Sequence, residues 1–415
     1  MLAKIAKNGS YLTILQIVNL LVPLMTYPYL VNVFGIEAYG GYIFITSIVG
    51  FLSVFINFGF NTTGTKEIAA GNNFINVYLN ITLIKILIFL SSLLISVFTI
   101  MYLNLNNLEL FFVCVMLLLY DLLFPYWYFM GKEKFLVLAL NVFISRIAFL
   151  FLIFGLLDDS SILVDIPIYN AISLSISLLL AALYVYKEER IIKSTSQIGD
   201  LKVHVNIKMY FEESFQIFQA QFVSQIYEST SRLLVGSGAG DSALTLYDLA
   251  EKIVKVFKIP INSLGSILFP IAVKSKNIIE MWSITRKVLV IYVFLYLILY
   301  LTIAEFIEYL FPREMLMAVG VVEIYSIIVF VIIIKQYLSF QVLIPFGYVE
   351  YFKKSAFIGG ACYLLSIIFM SAMEEFVVEY IVIAIVVSEM VITTCLLYFC
   401  IGLKEIIFEN ETEYE

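Results

Sequence analysis

The sequence has few charged residues and a single histidine. Asp, Glu, Lys and Arg make up 14% of its 415 residues, whereas a soluble globular domain carries roughly a quarter. This scarcity excludes an ordinary soluble domain, and the lack of a basic face excludes a nucleic-acid-binding protein. His204 and the four cysteines, which all fall in apolar segments, make up no metal-ligand set and no disulfide framework. We therefore expect no metal and no cofactor.

The chain consists largely of long apolar runs. Hydrophobic residues make up 62% of it, and the mean hydropathy is +0.99. A helix needs ~20 mostly apolar residues to cross the hydrocarbon core of a bilayer, and continuous rather than alternating runs exclude a barrel. The pattern predicts an all-α integral membrane protein with about twelve transmembrane helices. The expected spans are 10–34, 40–60, 79–103, 108–130, 135–157, 161–186, 210–237, 243–271, 284–311, 317–344, 352–373 and 378–403.

Lys and Arg mark one side of the membrane. Of the 25 basic residues, seven lie well inside the expected spans and Arg313 lies in an outer connection. The other 17 lie on the side of the N-terminus, either in a connection or within the first four residues of a span. Basic residues concentrate on the cytoplasmic side, so we expect both termini to be cytoplasmic. The longest connection divides the spans into six and six. The expected organisation is an N-terminal six-helix lobe at 1–186, a cytoplasmic linker at 187–209, a C-terminal six-helix lobe at 210–404 and an acidic cytoplasmic tail at 405–415.

Several charged residues fall inside the expected spans, where one charged side chain facing lipid costs ~2.5–3.5 kcal/mol. These side chains must therefore face protein, water or a ligand. Lys85 and Lys258 are expected to snorkel towards an aqueous boundary. Three further pairs have the i,i+4 spacing that allows neutralisation on one helix. These pairs are Glu228 with Arg232, Asp248 with Lys252, and Glu251 with Lys255.

Arg146 and Lys335 differ because neither has an acid within four residues on its own helix. Each needs a partner from another helix or a bound anion. Polar residues also recur at helical spacing on one face of two spans. They are Thr13, Gln16 and Asn19 in the first span, and Gln221, Gln225, Glu228 and Arg232 in the seventh. We infer a water-accessible cavity of net positive character between the two halves, suited to an anion such as a phosphate.

Two stretches resemble the Wzx-type polysaccharide flippases of the multidrug/oligosaccharidyl-lipid/polysaccharide exporter (MOP) superfamily, which includes the MATE transporters. In residues 8–69 the matching features are the Pro23 and Pro28 helix, a Gly35…Tyr39-Gly40 turn, Asn57-Phe58-Gly59-Phe60 and Lys66-Glu67. The second stretch has Tyr247, Ala250, Lys252, Pro260 and Leu268-Phe269-Pro270, which are similar to the eighth-helix signature of the family. It departs from the family at Asp248-Leu249, where small residues are commoner.

The resemblance implies a flippase in the inner (plasma) membrane of a bacterium. Such proteins move an oligosaccharide linked to undecaprenyl diphosphate, an O-antigen or related repeat unit, to the periplasmic leaflet by alternating access. The implied partners are this lipid, the bilayer and other polysaccharide-assembly membrane proteins, with proton or sodium coupling left open. On this hypothesis Arg146, Lys252, Lys335, Arg232 and Lys255 line the cationic cavity and hold the diphosphate. Asp121, Glu228, Asp248 and Glu389 are the candidates for balancing charge or carrying a coupling ion.

Other functions fit the sequence less well. A multidrug exporter of the same superfamily would favour an acidic cavity, and a lipid II flippase typically carries two further helices. A polysaccharide polymerase or glycosyltransferase needs a catalytic loop or domain, whereas the outer connections here are only a few residues long. The glycine run 236–240 lacks the lysine of a phosphate-binding loop. We therefore expect a transporter rather than an enzyme. The sugar, the coupling ion and the oligomeric state stay open.

Overall fold

The computed structural model describes residues 2–103, 107–195, 206–373 and 377–403. Within these ranges, the side chains at 2–10, 12, 99–103, 191–195, 220–229, 266 and 270 are outside the description. All regular secondary structure in the described residues is helical. The expected acidic tail and residues 196–205 of the expected linker fall outside the described residues.

The chain forms two compact units. Unit 1 is Met1–Leu233 and unit 2 is Leu234–Glu415. The helices of unit 1 are α1 (Leu2–Phe34), α2 (Ile36–Asn57), α3 (Phe60–Ala69), α4 (Phe74–Leu103), α5 (Leu108–Met116), α6 (Leu118–Leu123), α7 (Tyr126–Gly131), α8 (Phe135–Leu156) and α9 (Asp165–Thr195). Helix α10 (Ile207–Ala239) begins in unit 1 and ends in unit 2.

Unit 2 contains the remaining helices. They are α11 (Asp241–Ser275), α12 (Ile278–Leu310), a 3-10 turn (Arg313–Met317), α13 (Ala318–Ser326), α14 (Ile328–Gln336), a π-helical segment (Tyr337–Leu343), α15 (Val349–Met373) and α16 (Val378–Gly402). The span that runs from the 3-10 turn to the π-helical segment is interrupted, as is the span formed by α5, α6 and α7 in unit 1.

Eleven helical stretches in the described residues are long and apolar enough to cross a membrane. They coincide with eleven of the twelve expected spans and confirm an all-α multi-pass membrane protein. The expected seventh span lies on α10, a 33-residue helix in which acidic and amide residues alternate with apolar ones. That composition makes α10 less apolar than the eleven other spans. The cytoplasmic placement of the termini stays a prediction.

The first half of α10 packs on unit 1 at the corner between α2 and α3. Gly59 forms this corner with φ +78°, and a Cβ at that position would lie 2.6 Å from the backbone oxygen of Ser214. The ring of Phe58 stacks on Phe218, with centroids 4.6 Å apart. The Ser214 hydroxyl donates to Thr63 over 2.9 Å. The Asn57-Phe58-Gly59-Phe60 motif thus encodes a tight helix corner that α10 covers.

Helix α7 is held in unit 1 by an aromatic cluster. Trp127, Tyr128 and Phe129 are at most 2% exposed, and burying such large side chains supplies much of the apolar stabilisation of a core. Gly64 on α3 allows the approach, because a Cβ there would lie 2.6 Å from the indole of Trp127. This packing fixes the position of the break that precedes α7.

Candidate functional site

The fourth span of unit 1 is broken at Phe124 and Pro125, between α6 and α7. Pro125 has no backbone N–H, so the carbonyl of Asp121, four residues earlier, loses its helical hydrogen bond. Phe124 is extended, with ψ 118°, because the residue before a proline is pushed out of the helical region. Broken helices at membrane depth require partners for the freed backbone groups. The break therefore creates backbone acceptors that side chains must satisfy.

Lys85 supplies one of those partners. Its ammonium group donates to the free carbonyl of Asp121 over 2.7 Å, and the Tyr78 hydroxyl donates to the carbonyl of Leu123 over 3.4 Å. Lys85 is only 1% exposed, so the expectation that it snorkels to an aqueous boundary is wrong. The physical reason is the proline break, which offers the ammonium group a buried acceptor.

The carboxylate of Asp121 is held by neutral groups. It accepts a hydrogen bond from the Ser53 hydroxyl over 2.6 Å. The Asn57 amide donates to the backbone oxygen of Ser53 over 3.1 Å and lies 3.3 Å from its hydroxyl. Among the described residues, no Lys or Arg forms an ion pair with Asp121. Its negative charge is therefore not neutralised by direct pairing.

Arg146 on α8 is likewise held by a neutral partner. Its Nε donates to the Asn19 side-chain oxygen on α1 over 2.9 Å. Within the described part of the chain, its terminal guanidinium nitrogens have no protein acceptor. Because Arg carries five N–H donors, most of its hydrogen-bonding capacity stays available. The partner from another helix that the sequence required is thus an amide rather than a carboxylate.

Two hydrogen bonds hold α8 against α9 in the helical turn that precedes Arg146. Ser145 donates to the Ser173 backbone oxygen over 2.9 Å, and the Asn141 amide donates to that of Ser177 over 3.1 Å. Ser145 and Asn141 are buried, and a buried polar group is stable when it is hydrogen-bonded. These contacts fix the rotation of α8, from which Arg146 reaches Asn19 on α1.

These groups line one cavity, which we call the unit 1 pocket. Its volume is about 220 Å³, and residues of α1, α2, α3, α6, α7, α8 and α9 contribute to it. Its wall combines amides, hydroxyls, one cation, one carboxylate and aromatic rings. The lining residues are Leu15, Asn19, Asn57, Asn61, Tyr120, Asp121, Phe124, Tyr126, Val142, Ser145, Arg146 and Leu174.

The charges of unit 2 are arranged differently, because two lysines of α11 form ion pairs with carboxylates of the same helix. Lys252 pairs with Asp248, and Lys255 pairs with Glu251 over 2.7 Å. Both i,i+4 pairs are confirmed. The carboxylate side chains are 2–3% exposed, whereas Lys252 and Lys255 are 17% and 29% exposed. The two lysines therefore shield the buried carboxylates, while part of each lysine side chain stays exposed.

Lys335 finds its partner on the last helix. Its ammonium group donates to Glu389 over 2.6 Å, so two residues that were assigned different roles neutralise each other. Lys335 lies two residues before the π-helical segment, and π-helical turns often occur at functional sites. The neighbouring Gln336 fills the space that a Cβ at Gly265 would occupy. Lys252 lies 13 residues before Gly265, about 20 Å along the helix axis.

The structure thus distributes the expected cationic residues over several places. Arg146 and Asp121 line the unit 1 pocket together. Lys252 lies on α11, whereas Lys335 lies on α14 beside Gln336, which reaches α11 at Gly265. Arg232 makes contacts near the end of unit 1, and the side chain of its expected partner Glu228 lies outside the described residues. A further apolar groove of about 1,040 Å³ lies between α15 and α16, with walls such as Phe357, Leu365 and Phe369.

Sequence reasoning missed several lining residues. Asn19 was part of the polar face of the first span, but Asn61 and Tyr126 had no pattern that set them apart. Ser53, which positions Asp121, likewise lies in no sequence pattern that sets it apart. One local signal was present. Pro125 follows Asp121 by four residues, which predicts a freed carbonyl and hence a functional break in the span.

Comparison with solved structures identifies proteins of similar fold. The structure superposes on lipid II flippase MurJ in an inward closed conformation with TM-score 0.68, at 15% identity, over 94% of this chain and 86% of that chain. It superposes on the inward-facing conformation of a multidrug resistance MATE family transporter with TM-score 0.65, at 12% identity, over 95% and 99%. The chain therefore has the fold of MOP superfamily transporters.

Sequence comparison defines the family. The chain belongs to the polysaccharide biosynthesis protein family, whose profile matches residues 5–276. An Escherichia coli K12 protein named "Putative O-antigen transporter" is 27% identical over 276 residues, 64% of each chain. A Shigella dysenteriae protein of the same name is 25% identical over 268 residues, 64% of this chain and 66% of that one. The matches span slightly less than two thirds of these relatives.

Proposed function

We propose that this chain is a flippase that moves an undecaprenyl-diphosphate-linked oligosaccharide, an O-antigen or related repeat unit, from the cytoplasmic to the periplasmic leaflet. The observation that carries the proposal is Arg146, a cation inside a transporter fold whose only hydrogen-bond partner in the described residues is an amide. A charge at that depth is costly and needs a ligand or water. Membership of a polysaccharide biosynthesis family supports a saccharide-bearing anion as that ligand.

The proposed binding groups are Arg146, Lys252, Lys255, Lys335 and Arg232. They contact the lipid headgroup, which consists of the diphosphate and the first sugars, at different stages of transport. The lysines of unit 2 can do so only by sharing or exchanging their carboxylates, since each is already paired. The proposed charge-balancing groups are Asp121, Glu228, Asp248 and Glu389. Protonation of such a carboxylate, or sodium binding, would couple transport to a gradient.

Transport by alternating access requires relative motion of two lobes, for which we propose 1–186 and 210–404, joined by the linker 187–209. The distribution of basic residues supports cytoplasmic termini, and membership of the polysaccharide biosynthesis family supports a bacterial inner membrane. In a background in which the four native cysteines are replaced, a cysteine at Asp158 should react with an impermeant reagent from outside. A cysteine at Lys187 should not react, and the reverse pattern would overturn the proposed topology.

The decisive experiment measures lipid-linked oligosaccharide on each leaflet of cells that lack this protein. We expect accumulation on the cytoplasmic leaflet, restored to normal by the wild-type chain. Arg146→Ala, normalised to the amount of protein in the membrane, should restore transport poorly. Normal distribution of the lipid in the deletion strain would refute the proposed function. Accumulation of an intracellular drug instead would indicate a multidrug exporter.

A further inference from the structure

We propose that the unit 1 pocket binds one sugar ring of the transported lipid, rather than its diphosphate. This inference rests on the proposed function and assigns a part of the substrate to a defined set of residues. The residues that carry it are Arg146, Asp121, Asn61 and Tyr126, together with the aromatic side of the pocket.

The pocket offers both donors and acceptors to a ligand. In the described residues, the terminal nitrogens of Arg146, the amide of Asn61 and the hydroxyl of Tyr126 have no protein hydrogen-bond partner. Asp121 uses one carboxylate oxygen for Ser53, which leaves the other available as an acceptor. A sugar hydroxyl donates one hydrogen bond and accepts others. Hydroxyls of one ring can therefore bond to Arg146 and Asp121 at the same time.

A phosphate matches these groups less well. Phosphate oxygens accept hydrogen bonds, so they suit Arg146 but find no donor in the carboxylate of Asp121. Like charges in one site also repel each other. Lys85 offsets part of the charge of Asp121, but its ammonium group is buried behind the pocket and committed to the Asp121 backbone. The pocket wall therefore presents both hydrogen-bond donors and a negatively charged acceptor, and a ligand with several hydroxyl groups can bond to both.

The aromatic side of the pocket suits the less polar face of a sugar ring. Tyr120 and Phe124 stack with centroids 4.9 Å apart and planes 23° from parallel, and Tyr126 follows directly after Pro125. Leu15 and Val142 add aliphatic surface. Binding sites for small molecules typically combine such apolar walls with a few placed polar groups. The pocket has this composition within a single unit of the protein.

The size of the pocket limits the ligand to a small group. Its volume of about 220 Å³ is below the roughly 300–1,000 Å³ of sites for drug-sized molecules. One ring fits this volume better than a chain of sugars. The groups that face the ring are also fixed beforehand, Arg146 by Asn19 and Asp121 by Ser53. Preorganised contacts lose less entropy on binding.

The test compares the affinities of two lipid probes for the purified full-length protein in lipid nanodiscs. One probe is undecaprenyl diphosphate without sugar, and the other carries a single N-acetylhexosamine. Asn61→Ala and Tyr126→Phe each remove one neutral hydrogen bond, and we expect two- to tenfold weaker binding of the sugar-bearing lipid. Asp121→Asn should weaken it at least tenfold. None of the three should weaken binding of the sugar-free lipid.

Matched variants control for nonspecific effects. Tyr309→Phe removes a hydroxyl from an 88% exposed tyrosine of α12, and Asn32→Ala removes an exposed amide of α1. Both should bind the two lipids as the wild type does. Thermal unfolding of every variant establishes that it is folded, and Tyr126→Phe keeps the ring and hence its packing.

The outcomes separate this inference from the proposed function. Equal loss for both lipids in the pocket variants, or equal wild-type affinity for the two lipids, would overturn the sugar site and leave the flippase proposal standing. A wild-type protein that binds neither lipid would overturn both. Selective loss of the sugar-bearing lipid in the pocket variants alone would establish the site.

Discussion

The membrane-embedded charges of the two units differ in their partners. In unit 1, Lys85 bonds a backbone carbonyl and Arg146 bonds an amide. In unit 2, a carboxylate forms an ion pair with each of Lys252, Lys255 and Lys335. The same cost of placing charge in a membrane is thus met in two ways. The three lysines of unit 2 are neutralised by carboxylates, whereas the two cations of unit 1 have neutral partners and the terminal nitrogens of Arg146 have none among the described residues.

This difference predicts where a mutation harms folding and where it harms function. A buried ion pair contributes little net stability, but removing one partner leaves an uncompensated charge. A cation with a neutral partner leaves no such charge when it is removed. Cations of unit 2 should therefore be more important for stability, and Arg146 more important for transport.

The largest effect is expected from removing one partner of a pair in unit 2. Lys252→Ala removes the ion pair with Asp248, which is 1% exposed, and should destabilise the protein by about 3–5 kcal/mol. Asp248→Asn combined with Lys252→Gln should recover most of that loss, because no net charge remains buried. Unfolding of detergent-solubilised protein measures both.

The double variant also separates structure from transport. A stable double variant with full flipping activity would exclude Lys252 from substrate binding, whereas a stable but inactive one would support its proposed role. A Lys252→Ala variant as stable as the wild type would contradict the comparison between the units, since the pair would then be dispensable for folding.

The next effect is on transport and comes from Arg146. Arg146→Gln removes a charge-assisted contact worth about 1.5–3 kcal/mol, or roughly ten- to a hundredfold in affinity for the substrate. Stability should change by about 1 kcal/mol or less, since only the bond to Asn19 is lost. Flipping in cells and thermal unfolding, measured on the same variant, check both statements.

Arg146→Lys sharpens this result. It keeps the charge but replaces the planar fork of donors with a single ammonium group. Retention of most activity would indicate that charge alone matters. Loss of activity equal to that of Arg146→Gln would indicate that the geometry of several hydrogen bonds matters. A loss of folding as large as that of Lys252→Ala would contradict the distinction between the units.

A smaller effect is expected at the break in the fourth span. Lys85→Met should cost about 1–3 kcal/mol, because the Asp121 carbonyl is left unsatisfied. In a Pro125→Ala background, residue 125 regains an N–H that can donate to that carbonyl. The cost of Lys85→Met should then fall by about 1 kcal/mol or more, a coupling that a double-mutant cycle of unfolding free energies measures.

The control for this cycle is a proline in another helix. Pro28→Ala changes α1 and leaves the Asp121 carbonyl untouched, so Lys85→Met should cost the same in that background as in the wild type. Identical costs in the Pro125→Ala and Pro28→Ala backgrounds would show that Pro125 does not create the acceptor of Lys85.

The comparison also shows what can be predicted from this sequence. Apolar length alone located eleven of the spans, and helical spacing located the pairs on α11, because both are local properties. The pairing of Lys335 with Glu389 joins residues 54 apart, and that of Arg146 with Asn19 joins residues 127 apart. No local pattern encodes such contacts. They follow from packing, which also decided that Lys85 is buried.

The smallest effect is expected for an ion pair at the helix ends. Lys134 and Glu188 pair over 3.0 Å but are 38% and 21% exposed. Hydrogen bonding to Glu188 raises the pKa of Lys134, so the contribution of this pair is present at neutral pH and is lost as the pH rises through that raised value. Exposed pairs contribute ~0–1 kcal/mol, and salt weakens them further.

Glu188→Gln should therefore change the unfolding free energy by about 1 kcal/mol or less, and 1 M salt should remove the difference from the wild type. Glu389→Gln removes the same charge from a pair of similar length, 2.6 Å, with a side chain only 14% exposed. It leaves Lys335 without its carboxylate and should cost several times more, with little dependence on salt. Equal changes in the unfolding free energy of the two variants would mean that burial does not determine how much an unpaired charge destabilises this protein. The contrast between the two units would then lose its physical basis.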